Sequence, residues 1–137
     1  MAFERDPAAL VTSVASYLAV SGVGSFTTGP SSIGNLFRHQ APTTPTNLTV
    51  VAHTGGFSTL GSPTRLPTFT IQVRDTNVNS GMYRAKEINK LLDDQWNVLT
   101  GYPGRVSADS EPGASFRDEN GHYVFPMNYV VYTTYQG

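Results

Sequence analysis

Seven consecutive residues, Asp75-Thr76-Asn77-Val78-Asn79-Ser80-Gly81, carry oxygen ligands at alternate positions, as a calcium loop does. Such a loop also needs glycine at its sixth position and an acid at its twelfth, and here those are Ser80 and Lys86. The segment is better suited to a turn and the cap of a following helix. His39, His53 and His122 stand far apart, without the i, i+4 spacing that puts two imidazoles on one metal. Asp93-Asp94, with Lys86, Glu87 and Lys90, forms the solvated face of a helix. Gly55-Gly56 precedes no helix with Lys-Ser/Thr, so it is no phosphate loop, and no serine sits in a nucleophile elbow. Asn47-Leu48-Thr49 fits the glycosylation pattern, which is empty without secretion. These residues give no catalytic, metal or cofactor site, and the expectation is that the chain is not an enzyme.

What such residues decorate is a strand feeding a helix. Phe69, Ile71 and Val73 alternate with Thr70, Gln72 and Arg74, which makes a half-buried strand. Beyond the turn Thr76 to Ser80, Met82, Ala85, Ile88 and Leu92 recur at three and four residues and line one face of a helix. Near the amino terminus Asp6 can cap a helix that begins at Pro7. Its apolar stripe is Leu10, Val11, Val14, Ala15 and Leu18, and Gly22 is its left-handed stop.

Between these helices the chain is rich in Gly, Ser, Thr and Pro from Gly24 to Pro45, with a short strand candidate at Asn35 to Gln40. Asn47 to Thr54 is a stronger strand, with Leu48, Val50 and Ala52 on one side and Thr49, Val51 and His53 on the other. Gly55 to Pro67 contains three glycines and two prolines and is expected to be a long loop. After the second helix, stopped at Gly101 to Gly104, the pattern is β. Arg105 to Glu111 is a strand candidate, and Asp118-Glu119-Asn120-Gly121 is a hairpin turn leading into His122 to Tyr135. Pro126 implies an edge or a bulge in that last strand. The expected core includes Leu10, Val14, Leu18, Phe69, Ile71, Val73, Ile88 and Leu92. The expected fold is α+β: a mostly antiparallel or mixed sheet with two main helices packed on one face.

Composition bounds the rest. A length of 137 residues suits one domain over 1–137, able to bury roughly two thirds of its unfolded surface. Cysteine is absent, which excludes disulfides, thiolate metal sites and a cysteine nucleophile. A net charge of −1 offers no overall basic character for tight nucleic-acid binding. The start, MAFERDPAAL, is charged where a signal peptide is apolar, and no apolar run is long enough to cross a bilayer. A soluble protein made in the cytoplasm, with no membrane partner, is expected.

Four pieces in order carry a resemblance: an amino-terminal helix, NLFRHQAP (Asn35 to Pro42), PTFTIQVRD leading into YRAKEINKLLD, and the closing hairpin SFRDENGHYVFPMNYVVYTTY. Together they resemble the tail terminator proteins of long-tailed bacteriophages, also described as minor capsid or neck proteins. The resemblance implies a structural virion protein forming a homo-oligomeric ring, usually a hexamer, on the head-proximal end of the tail tube. It would stop tube polymerisation and join tail to head, with the tail tube protein and the head–tail connector or stopper as partners. Genome DNA would pass through the channel without specific recognition, and no cofactor is implied. The location would be the tail or neck of the virion, with the host cytoplasm during assembly. Two polar, glycine-containing stretches are the expected partner contacts: Gly55, Gly56, Phe57, Ser58, Thr59 and Leu60, and Asp118, Glu119, Asn120 and Gly121. The alternatives are another neck protein, such as a head completion protein, or a small enzyme or ligand-binding domain.

Overall fold

A computed structural model describes residues 7–22, 36–38, 47–58, 64–109, 116–117 and 121–134. In chain order the elements are α1 (Pro7–Val20), β1 (Leu36–Arg38), β2 (Leu48–Ser58), β3 (Thr64–Asp75), α2 (Val78–Leu92), β4 (Gln95–Trp96), β5 (Arg105–Ala108), β6 (Phe116–Arg117) and β7 (Tyr123–Thr134). The strands form one sheet in the order β1-β2-β3-β7-β5-β4, with β6 paired beside β7. β1 runs parallel to β2, and the other pairings are antiparallel. The fold is α+β, as the periodicities require.

Register assigns each strand residue to a face. Val51, Ile71 and Met127 sit opposite one another across β2, β3 and β7, as do Thr49, Val73 and Phe125. Both helices pack on this face. Leu10, Val14 and Leu18 of α1, Ile88 and Leu92 of α2, and Phe69, Ile71 and Val73 of β3 are all buried in one apolar cluster. Each such side chain contributes about 1.5–3 kcal/mol by leaving water. Phe69 stacks on Tyr129 with ring centroids 5.2 Å apart, across the centre of the sheet. Gly81 lies where α2 approaches β7 most closely, and a Cβ there would collide with the Phe125 ring.

Polar ties fix the helices over this core. Tyr17 donates to the Leu91 carbonyl at 2.7 Å, joining α1 to α2, and Arg38 reaches Thr12 at 2.8 Å, joining β1 to α1. The Tyr129 hydroxyl donates to Asn89 Oδ1 at 2.9 Å. Burial raises its pKa, and the negative charge of Asp93 adds to that rise.

Three sequence expectations are corrected. Most of Gly55 to Pro67 is strand rather than loop. β2 continues through Gly55 and Gly56 to Ser58, β3 begins at Thr64, and a bulge between His53 and Gly56 absorbs the glycines. Second, α2 ends at Leu92, not near Gly101. Asp93 accepts a hydrogen bond from the Ala108 N–H at 2.9 Å, and Asp94 turns the chain at φ 59° without a glycine. That turn frees Gln95–Trp96 to form an edge strand. Third, the last strand is an inner one, between β3 and β5, rather than an edge. Asp109 donates to the Asn128 carbonyl, so residues of the same parity on β7, Pro126 included, turn their backbone toward β5 and β6. Pro126 falls between the stretches paired with β6 and β5 and pairs with Gln72 on its other side without a register shift, so its missing donor costs no ladder bond.

Candidate functional site

The densest polar cluster lies where β3 turns into α2. Asp75 is buried, 2% exposed, and its two oxygens are both used. One accepts from the Asn77 backbone N–H at 2.8 Å, the other from Arg84 at 3.2 Å. Asn77 caps α2 by accepting from the N–H groups of Asn79 and Ser80 at 2.9 and 3.1 Å. Arg84 also donates to the Leu48 and Arg74 carbonyls at 3.2 and 2.9 Å, so one guanidinium holds the start of β2, the end of β3 and α2. Burial lowers the Arg84 pKa, while the Asp75 charge opposes that shift. The calcium-like spacing of Asp75, Asn77 and Asn79 is therefore consumed by a turn, a cap and an ion pair. Among the described residues no group of three or more acidic, histidine or cysteine side chains is placed to hold a metal.

The two glycine-containing stretches lie at opposite ends of the sheet. Ser58 pairs with Arg65, which pairs with Thr133 near the end of β7. Gly121, at φ 80°, precedes the start of β7, and its carbonyl accepts from Arg117 at 3.1 Å. The length of β7 separates them by roughly 35 Å, at about 3.3 Å per residue. Of the expected contact residues, Gly55, Gly56, Phe57 and Ser58 form the end of β2, and Gly121 ends the β6–β7 turn. Thr59, Leu60, Asp118, Glu119 and Asn120 lie outside the described residues, as does His39.

Comparison with known proteins now has a geometry to act on. The family of bacteriophage tail terminator proteins matches residues 19–135. The chain belongs to the tail terminator family. That family is one of structural virion proteins of the phage tail. Among solved structures, a chain from the virion of a native gene transfer agent particle superposes with a TM-score of 0.63 at 14% identity. The match covers 93% of this chain and 96% of that one, and it shows a shared fold. No curated protein matches the chain.

For a structural virion protein the exposed surfaces are of interest, and most of the apolar ones were missed by sequence reasoning. Val20, Tyr83, Trp96, Phe116 and Tyr132 are large hydrophobic side chains that remain exposed. Tyr83 carried a readable signal, because it falls off the Met82, Ala85, Ile88, Leu92 stripe. Trp96 carries none, because a second helix running to Gly101 would include Gln95–Trp96. Two grooves flank the end of α1. One, of about 740 Å³, runs beside Thr12, Ser16, Val20 and Val98. The other, of about 630 Å³, lies between Ser21-Gly22 and the Tyr83, Glu87, Lys90 and Leu91 side of α2.

Proposed function

We propose that this chain is the subunit of a homo-oligomeric ring, six copies to a turn, seated on the head-proximal end of a phage tail tube. There it stops tube polymerisation and joins the tail to the head connector. The observation that carries this reading is the family match over residues 19–135. The fold adds a physical fit: Ser58 at the end of β2 and Gly121 before β7 lie at opposite ends of one sheet, which suits a part that meets different partners above and below. Gly55 to Leu60 and Asp118 to Gly121 are the assigned contacts with the tube protein and the connector or stopper. A ring of this kind lets genome DNA through without reading it, so duplex binding is weak and falls steeply as salt rises. The site of action is the virion neck, reached after assembly in the host cytoplasm.

Electron microscopy of the purified protein tests the ring directly; particles with a central channel are expected, and compact monomers at every concentration would remove the ring. Silencing the gene in the encoding phage tests the role. Filled heads beside unattached or overlong tails are expected. Replacing Thr59 and Leu60 while sparing the β2 residues Gly55 to Ser58 should leave rings intact and reduce joining.

A further inference from the structure

We propose that the surface around Trp96, on the helix-free side of the sheet, seats in the groove between α1 and α2 of a second copy of this chain. The proposal rests on the ring reading above, which demands two different contact surfaces without locating either. A closed ring is built from a head-to-tail contact, in which each subunit offers one patch to one neighbour and another patch to the next.

Register defines the first patch. Trp96 pairs with Arg105, and Arg105 pairs with Tyr132, so the three form one row across β4, β5 and β7. Their neighbours in the same strands, Gln95, Val106 and Val131, pair in the alternate row, and Val106 and Val131 belong to the helix-covered core. The row therefore lies on the helix-free face. Trp96 is 64% exposed and Tyr132 45%, a large apolar area for solvent to cover. The second patch lies in the helical layer, where Tyr83 is 68% exposed beside the 630 Å³ groove and Val20, at the end of α1, is 89% exposed. An aromatic side chain buries about 150–250 Å² when it finds such a pocket, and Trp, Tyr and Arg dominate the energetics of contacts of this kind.

Charge selects the pairing. Beside the first patch stand Asp94 and Asp109 against Arg105, which is itself paired with Asp94 at 2.7 Å. The outer side of α2 carries Lys86 and Lys90 against Glu87, while Arg84 is matched by Asp75. The first patch is thus acidic and the second basic. Each repels its own kind and attracts the other, which favours a head-to-tail contact over a twofold one. Lys90 beside the groove also offers a cation to the face of an incoming indole. Strand addition is a poor competitor at this edge. β4 is two residues long, and Asp94 and Asn97, at φ 59° and 58°, bend the backbone away at both ends.

The sequence makes the test clean, since Trp96 is its single tryptophan and it has no cysteine. On dilution of the unmodified protein from ring to monomer, Trp96 emission should move to longer wavelength and acrylamide quenching should rise several-fold. Separately, copies carrying Trp96→Cys are mixed with copies carrying Tyr83→Cys under mild oxidation. Mixed disulfide dimers should form, and neither variant alone should cross-link. Rings in which Trp96 stays fully quenchable would overturn this surface while leaving the ring itself standing. Trp96→Cys copies that cross-link with each other would replace it with a twofold contact. A protein that is monomeric at every concentration would overturn both.

Discussion

On β3 and β7, Phe69, Ile71, Val73, Phe125, Met127 and Tyr129 alternate with Thr70, Gln72, Arg74, Pro126, Asn128 and Tyr132. The first set lies under the two helices and is fully buried; the second forms the helix-free face, where Gln72, Pro126, Asn128 and Tyr132 are exposed. Where the helix-covered face is closed by stacking and close approach, the helix-free face carries contacts such as Thr70 to Asn128 at 2.8 Å and a small buried pair, Leu48 and Val50. Two surfaces one side chain apart thus serve different ends. One supplies the stability of the subunit. The other leaves Gln72, Pro126, Asn128 and Tyr132 in solvent.

Substitutions on the two faces should therefore differ by an order of magnitude. Asp75→Ala has the largest expected effect. It leaves Arg84 half-buried without its carboxylate and cuts the turn into α2, at about 3–5 kcal/mol, the cost of breaking a buried ion pair. Chemical denaturation would show it, and an unchanged midpoint would remove the pair from the account of stability. Leu92→Ala comes next, at about 2–5 kcal/mol for a fully buried leucine where α2 meets the sheet. Thermal melting checks it.

Tyr129→Phe deletes one neutral hydrogen bond and should cost about 0.5–1.5 kcal/mol at neutral pH. It also gives a pH signature. Burial raises the folded-state pKa of Tyr129 above that of the unfolded chain. The resulting stability is complete below about pH 10 and is lost as pH climbs through the raised folded value. Phenylalanine has no proton to lose, so the variant's stability should fall less steeply above pH 10, as measured by denaturant titration across alkaline buffers. The smallest effect belongs to the helix-free face: Gln72→Ala should change stability by no more than about 0.5 kcal/mol. A large loss there would mean that this face is structural after all.

The division between faces was legible before any coordinates. A period of two in Phe69 to Arg74 and a period near 3.6 in Met82 to Leu92 fix which side chains turn inward, because burial follows geometry that the chain carries locally. The cap of α2 was legible for the same reason, since Asn77 acts on N–H groups two and three residues away, whereas Asp6 lies outside the described residues. What stayed hidden depends on distant partners. Gly55 and Gly56 resemble loop residues until Pro67 is found opposite Gly56, just past a bulge that takes in Gly55. The end of α2 is set by Asp93 bonding to Ala108, fifteen residues on, and by a left-handed aspartate that no glycine announces. Pro126 signals an edge, whereas the gap between β5 and β6 makes room for it inside the sheet. The contact surfaces were the least legible, since an exposed Trp96 looks like any other tryptophan until its strand is placed.

The position of β7 governs the life of the nascent chain. It is translated after the other six strands, yet it lies between β3 and β5 and joins the two halves of the sheet. Until the ribosome delivers it, β1–β2–β3 and β4–β5 share no strand pairing, and the central pairing must close across some sixty residues, as Thr68 with Val130 shows. Such non-local closure is slow compared with helix formation. A messenger cut short upstream of β7 would thus yield a polypeptide with neither a finished sheet nor Tyr132 beside Arg105. Under the proposed head-to-tail contact, a half-made copy would lack part of the surface by which a complete one is admitted.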